Sequence, residues 1–262
     1  VLLVRPNHSE FMDKDEAMLR CHYDVRTLDM YALPKGASYA PRFLYGLARG
    51  ALWADVVVSW FADRHSAAAG MMSRILGAKC IVIVGGYEPA KVPEIGYGAL
   101  LSDRDARNVR KALRRAHSVL AVSEFTKREL ETNLNFSGAK VVYNGVEVDP
   151  GAPGHAKERL VLMAANAFSS TRRLKGIDTF AKASALVPDA RFVLVGPYDT
   201  DVERDVRALS PKIELTGWID HGELVDLMIR AKVYCQTSYR ESFGIAVAEA
   251  MACACVPVVT RG

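Results

Sequence analysis

The chain has 262 residues, half of them hydrophobic and about a quarter charged, with a formal net charge of +4. That composition is ordinary for a soluble globular protein, and the length favours two domains. Lys and Arg number 20 against 17 acids in residues 1–150 and 14 against 13 in the remainder, a lean too mild for a nucleic-acid partner, and no apolar run approaches the roughly 20 residues of a membrane span.

Val1 to Val4 reads as a buried strand, and Arg5, Pro6 and Asn7 follow it too soon for a signal peptide. A helix is expected over 10–21 and a strand over 25–28. Residues 41–54 place Phe43, Leu44, Leu47, Ala51 and Leu52 at helical spacing beside Arg42 and Arg49. A core-facing helix is the preferred reading there, and a helix lying on a membrane surface is the alternative. The strand of VVVSWF ends near Trp60, followed by a helix over 64–76 and a strand over 79–84 that ends in Gly85, Gly86, Tyr87 and Glu88. A helix over 103–116 leads to a strand over 119–122, ending at Ser123 and Glu124. Its cations, Arg104, Arg107, Arg110, Lys111, Arg114 and Arg115, form a stripe. Such a stripe is a solvated face or, as the alternative, a contact for anionic lipid headgroups.

Strands alternating with helices imply a parallel sheet covered on both faces, with ligands beyond the carboxyl ends of its strands. Gly85, Gly86, Glu88 and Ser123 fall at such ends. Asn144, Gly145, Pro150, Gly151, Pro153 and Gly154 then break the rhythm. The division expected is a first domain over 1–149, a linker over 150–157 and a second domain over 158–262. In the second, strands are expected over 160–165, 191–195, 213–215, 233–236 and 256–259. Helices are expected over 175–187, 221–231 and from Gly244. The two α/β domains, each Rossmann-like, would face each other across a cleft. The chain begins without Met and stops at Gly262 straight after an apolar strand, which reads as a fragment whose second domain is truncated at its C-terminus.

The cysteines, Cys21, Cys80, Cys235, Cys253 and Cys255, are odd in number and scattered, which points to a reducing compartment and a cytoplasmic location. Cys253 and Cys255 lack a second ligand pair, and His8, His65 and His117 have no Asp or Cys at ligand spacing, so no metal site is expected. No G-x-G-x-x-G follows an early strand, which argues against a nicotinamide-dependent enzyme.

The stretch ESFGIAVAEAMACACVPVV, Glu241 to Val259, organises the second half. Glu249 interrupts an apolar helix that reads as buried, and a buried carboxylate needs a partner. Gly244 opens the helix with free amides, an anion site by geometry and dipole. Arg172, Arg173 and Lys175 crowd the turn after strand 160–165, where they suit a diphosphate or are a solvated turn.

Here the chain resembles the retaining glycosyltransferases of family 4, of GT-B fold, which carry a Glu, seven residues, Glu motif. In this sequence it is Glu241, SFGIAVA, Glu249, with a cysteine, Cys255, where the family usually has glycine. LKGID around Lys175, VVYNGVE, RFVLVGP with Gly196, and LTGWID with Trp218 and Ile219 extend the resemblance over most of the second half. VGGYE and AVSEFTKREL extend it less specifically into the first.

The resemblance implies transfer of a sugar from a nucleotide diphosphate sugar to an acceptor hydroxyl, with retained configuration and no metal or other cofactor. Lys175 and Arg173, or Arg172 in its place, would stabilise the leaving diphosphate with the amides around Gly244 and Ile245. Glu241 would orient the donor sugar and Glu249 would accept from the ribose. Phe243, Gly196, Trp218 and Ile219 would complete the donor site, and Gly85, Gly86, Glu88 and Ser123 would lie on the acceptor side. The acceptor is open: a saccharide, a lipid-linked saccharide or a small molecule, with peripheral membrane contact as an option. The alternatives are a sugar-nucleotide epimerase of the same fold and a non-catalytic nucleotide-sugar-binding module.

Overall fold

A computed structural model describes residues 1–147, 154 and 156–261. They form two compact units, Val1–Tyr143 and Asn144–Gly262. The linker expected over 150–157 falls largely outside the described residues.

The first unit runs β1 (Leu2–Arg5), α1 (Glu10–Arg20), β2 (Arg26–Asp29), α2 (Tyr39–Trp53), β3 (Val56–Trp60), α3 (Arg64–Leu76), β4 (Lys79–Val84), α4 (Asp103–Arg115), β5 (Ser118–Ala121), α5 (Glu124–Leu134) and β6 (Ala139–Val141). Every pairing is parallel, in the order β2-β1-β3-β4-β5-β6. The apolar runs explain the centre of the sheet: Leu3, Val4, Val57, Cys80, Val82 and Val84 are fully enclosed because helices cover both faces. In α4, Ala106, Val109, Ala112 and Leu113 face the core and the cations face out. A Cβ on Gly70 of α3 would stand 2.8 Å from the Arg115 Cβ, so glycine there lets α3 and α4 pack closely.

The second unit runs β7 (Glu158–Ala164), α6 (Arg172–Lys175), α7 (Ile177–Leu186), β8 (Arg191–Val195), α8 (Thr200–Leu209), β9 (Glu214–Leu215), α9 (His221–Arg230), β10 (Ala231–Gln236), α10 (Ile245–Ala252) and β11 (Val256–Val259). Its parallel order is β11-β10-β7-β8-β9. Phe180 and Phe192 pack on one side with their centroids 5.3 Å apart. Tyr234, Met228 and Ala250 anchor the other side.

Several expectations are revised. The helix expected over 175–187 is two helices, because Gly176 takes φ +66 and breaks it. Three elements were not expected: α5, capped by Ser123, the short β6, and α8, capped by Asp199. Leu44 and Leu52 of α2 face solvent, while Phe43, Leu47, Gly50 and Ala51 face the core. The helix carrying Glu249 is half-buried, with only Ala250 enclosed, and Val256 to Val259 form an exposed edge strand. β11 pairs with β10 in the described residues.

The end of α10 is closed by two hydrogen bonds, Cys255 N–H to Ala250 O and Ala254 N–H to Met251 O, both 2.9 Å. This is the Schellman pattern, whose left-handed residue is ordinarily glycine. That residue here is Ala254, at φ +59. Cys255 is the buried residue after it, its Sγ 3.0 Å from Met228 O. Relieving a left-handed alanine should outweigh the entropy of an added glycine, so Ala254→Gly should stabilise the chain by about 0.5–1 kcal/mol. A lowered urea midpoint would show that the turn is not strained.

Candidate functional site

The strand order of the second unit reverses between β7 and β10, so the chain leaves the ends of these strands in opposite directions and opens a crevice. After β7, the Thr171 hydroxyl donates to Asn166 O at 2.6 Å and accepts from Phe168 N–H at 3.1 Å, folding the segment into a tight turn before α6. A Cβ on Gly176 would lie 1.8 Å from Thr237 O. Only glycine lets the start of α7 touch the segment that leaves β10, and Thr237 Oγ1 seals the contact by donating to Gly176 O at 2.9 Å.

That contact brings together residues far apart in sequence. Lys175 Nζ donates to Glu241 Oε2 at 3.0 Å, and Gln236 Nε2 donates to the same oxygen at 3.1 Å. The Lys175 and Glu241 side chains keep 26% and 33% of their exposure. A pair so open is worth at most about 1 kcal/mol, so an incoming anion can share the ammonium at little cost.

The cations of the turn separate by their partners. Arg172 is bound by Asp178, at 2.6 Å, and by Asp205, and these hydrogen bonds raise its pKa. Arg173 is exposed at the start of α6. Of the two it is the one whose charge is not already neutralised by Asp178 and Asp205.

Gly244, at φ +83, caps α10, and the first intrahelical bond runs from Ala248 N–H to Gly244 O at 3.1 Å. The amides of residues 245–247 therefore have no acceptor within the helix. A Cβ on Gly244 would lie 3.5 Å from the Glu241 Cγ, which sets the open helix end beside Glu241, between half-buried Phe243 and Ile245. Glu249 Oε1 lies 3.7 Å from His221 Nε2 at the start of α9. The buried Tyr234 hydroxyl accepts from Ala164 N–H at 3.2 Å. Its pKa is pushed up by burial first and then by Glu241 and Glu249.

Gly196, Trp218 and Ile219 stand further along this edge, beyond β8 and β9. Gly196, at φ +125, donates to Gly217 O at 3.0 Å, and a Cβ there would meet Ala165 O at 2.2 Å. Trp218 is 75% exposed, whereas Ile219 packs on the core. Sequence reasoning passed over Tyr234, Gln236, Ser238 and His221. The polar run Gln-Thr-Ser ending an apolar strand was the available signal for two of these positions, Gln236 and Ser238.

In the first unit the reversal lies between β1 and β3. Beyond it is a cavity of about 510 Å³, lined by Pro6, Asn7, Tyr39, Phe61, Arg64 and Tyr87 among others. The Glu88 carboxylate, buried in its wall, accepts from the amides of Ala62 (3.0 Å), Gly85 (3.2 Å) and Gly86 (2.9 Å). Burial raises its pKa and the amides oppose that shift. Glu88 therefore ties the ends of β3 and β4 together. Gly85 has no room for a Cβ, which would lie 2.6 Å from the Phe61 ring. Ser123 caps α5 through Thr126 N–H, at 3.1 Å. His65 bonds Trp60 O at 2.7 Å and His117 Nδ1 accepts from Cys80 N–H at 3.1 Å, both structural contacts. Among the described residues, no group of three or more His, Cys, Asp and Glu is placed to hold a metal ion.

Two family models match the chain. Glycosyltransferase Family 4 matches residues 1–150 and Glycosyl transferases group 1 matches residues 148–262. The phosphatidylinositol N-acetylglucosaminyltransferase gpi3 subunit of Schizosaccharomyces pombe is 27% identical over 140 residues, 50% of this chain and 31% of that protein. The match thus spans about a third of the relative's length. Among solved structures, Anabaena HepE in complex with UDP and glucose superposes with a TM-score of 0.69 at 16% identity, covering 98% of this chain and 79% of the other. The UDP-GlcNAc 2-epimerase of Methanocaldococcus jannaschii superposes with a TM-score of 0.61 at 10% identity, covering 99% and 83%. Such likenesses establish the fold, which is GT-B.

The two arginines of the turn should behave differently on substitution. Arg172→Ala removes the cation that joins Asp178 to Asp205, leaving Asp205 paired with Arg204 alone, and should cost about 1–2 kcal/mol of stability, less than a fully buried pair because all three groups keep some solvent. Arg173→Ala should fall within about 0.5 kcal/mol of the parent. Urea unfolding of both variants checks the assignment, and equal losses would overturn it.

Proposed function

The chain belongs to glycosyltransferase family 4, and from that membership we propose that it moves a sugar, with retention, from a nucleoside diphosphate donor to an acceptor hydroxyl. The observation that carries the reading is the meeting of Lys175 and Glu241 beside the open N-terminus of α10, at the strand reversal of the second unit. Lys175, Arg173 and the amides of residues 245–247 hold the diphosphate, and their charge stabilises it as it leaves. Glu241, held by Gln236, orients the sugar. Glu249 accepts from the ribose hydroxyls, with Phe243, Gly196, Trp218 and Ile219 around the donor.

The bond from sugar C1 to the diphosphate oxygen breaks with its electron pair on the diphosphate. The acceptor oxygen bonds C1 on the same face, and its proton passes to the departing diphosphate. In this reading the transfer is of a hexose and needs no metal ion. The cavity of the first unit, with Gly85, Gly86 and Glu88 in or behind its wall, takes the acceptor, and Ser123 caps the neighbouring helix.

HepE was solved with UDP and glucose, and the fission yeast relative is named for phosphatidylinositol and N-acetylglucosamine. Both support a uridine nucleotide sugar as donor and a lipid-borne hydroxyl as acceptor, used on the cytoplasmic side by a protein in peripheral contact with a membrane. No helix among the described residues is long and apolar enough to cross one. Because a 2-epimerase shares the fold, epimerisation is the second reading. Nucleoside diphosphate released only when an acceptor is added supports transfer, and conversion of the donor to its epimer without an acceptor, with no net release of nucleoside diphosphate, supports the epimerase.

Lys175→Ala should weaken nucleoside diphosphate binding by roughly 1.5–3 kcal/mol and leave nucleoside binding nearly unchanged, since its role is to meet phosphate charge. Titration calorimetry with both ligands checks this, and equal losses would place Lys175 outside the site. For Glu249, the partner His221 supplies a structural alternative, so a double cycle is needed. Glu249→Gln should cost about 1–2 kcal/mol of nucleotide affinity, and a nucleotide lacking both ribose hydroxyls should lose little further in the variant. Additive losses with a lowered Tm would assign Glu249 to a structural pair with His221 instead.

A further inference from the structure

α2, α3 and α4 pack side by side on one face of the first sheet, as right-handed crossovers between β2, β3, β4 and β5 require. Together these three helices hold ten Lys and Arg and two acids, Asp103 and Asp105, both in the first turn of α4. The chain's net charge of +4 is thus the sum of a strongly basic face and an acidic remainder.

Several cations on other helices are paired with acids on the same helix: Lys14 with Glu10, Arg20 with Glu16, and Arg207 with Glu203. On α2–α4 the sequence supplies almost no such partner. Two arginines there are used internally, Arg74 donating to Arg114 O at 2.9 Å and Arg115 to Ala67 O at 3.1 Å, which staples α3 to α4. Arg107, Arg110, Lys111 and Arg114 stay exposed on α4, and Arg42 and Arg49 on α2. Large apolar side chains share this surface: Tyr45 is 68% exposed, Leu52 70% and Ile75 69%. Trp53 lies under the Arg26 guanidinium, 4.1 Å from the ring centroid.

A solvated face accounts for the cations but not for exposed Tyr, Leu and Ile among them. A nucleic acid accounts for the charge but gives nothing to Leu52 and Ile75. A helix surface with apolar and aromatic side chains among cations, and without acids, matches the boundary between headgroups and acyl chains. The same helices also begin at the cavity: Tyr39 of α2, Arg64 and His65 of α3, and Asp105 and Val109 of α4 line it.

We propose that the outer side of α2, α3 and α4 is a docking face for an anionic lipid bilayer. The helices lie flat on the headgroups, the cations meet lipid phosphates, and Tyr45, Leu52 and Ile75 enter the interface. A headgroup lifted at the start of the three helices then reaches the cavity. The face gives a site to the membrane contact of the proposed function, and it is tested without any sugar donor, so failure of either leaves the other standing.

The test is co-sedimentation of the full chain with phosphatidylcholine vesicles, with and without phosphatidylserine. Binding should require phosphatidylserine and fall steeply with salt. The triple variant Arg107→Gln, Lys111→Gln, Arg114→Gln should bind about a hundredfold more weakly. Tyr45→Ser with Leu52→Ser and Ile75→Ser should bind about tenfold more weakly or worse at unchanged Tm, since all three side chains are solvent-exposed. Three results would overturn the proposal: equal binding to neutral vesicles, insensitivity to either variant, or retention on heparin that the apolar variant leaves intact while vesicle binding is absent. The last would identify a polyanion stripe.

Discussion

The close approach of Gly176 and the Thr237 carbonyl governs the second unit. A side chain at 176 has no room, since its Cβ would overlap the Thr237 oxygen, and the backbone at φ +66 is one that glycine adopts without strain. The turn after β7 and the segment after β10 are thereby locked at one distance. The ion pair of Lys175 and Glu241 follows from that lock rather than producing it. An open ion pair contributes too little to hold two loops together, whereas a backbone contact repeated by the Thr237 hydroxyl bond does so without using the charges. The charges stay available, which is what a site for an anion needs.

The two units share a reversal of strand order and treat the amides there differently. In the first, three amides at the ends of β3 and β4 converge on the Glu88 carboxylate, so the protein supplies its own anion. Phe61 beside them holds a left-handed backbone at φ 63, and its ring occupies the space that Gly85 leaves. Strain in a non-glycine residue at a cavity wall persists only where its surroundings hold it. In the second unit the amides that open α10 meet no carboxylate of their own helix. This contrast favours the second unit for a diphosphate and the first for an uncharged hydroxyl.

Much of this was legible in the sequence. Apolar runs such as VVVSW and CIVIV marked their strands, because a parallel strand covered on both faces leaves no polar alternation to confuse. β6 has only three residues and so no period to read, whereas α8 places Val202, Val206 and Leu209 at helical spacing, a signal that was available and passed over. The break at Gly176 is a tertiary demand that no local propensity announces. The motif Glu241 to Glu249 singled out the candidate site, but that Arg172 is held in an ion-pair network depends on Asp205, 33 residues away in sequence. His221 and Gln236 became visible only once α9 and β10 were set beside α10 and α6.

Charge shows the same limit in another form. The stripe on α4 could be read from spacing alone, since cations three and four apart fall on one face of a helix. The scarcity of acids on α2 and α3 meant little by itself, because either helix is short and mostly apolar. It acquires meaning through the order β2-β1-β3-β4-β5, which places α2, α3 and α4 next to one another and makes one surface of three segments spread over residues 39–115. Net charge sums over that surface and its acidic complement, and so reports neither. The quantity that decides a partner is the charge within about a Debye length of a point on the surface, roughly 8–10 Å at physiological salt. Neighbouring packed helices are 8–10 Å apart, so one such radius spans about two of them. At that scale the surface of α2, α3 and α4 carries ten cations against the two acids in the first turn of α4.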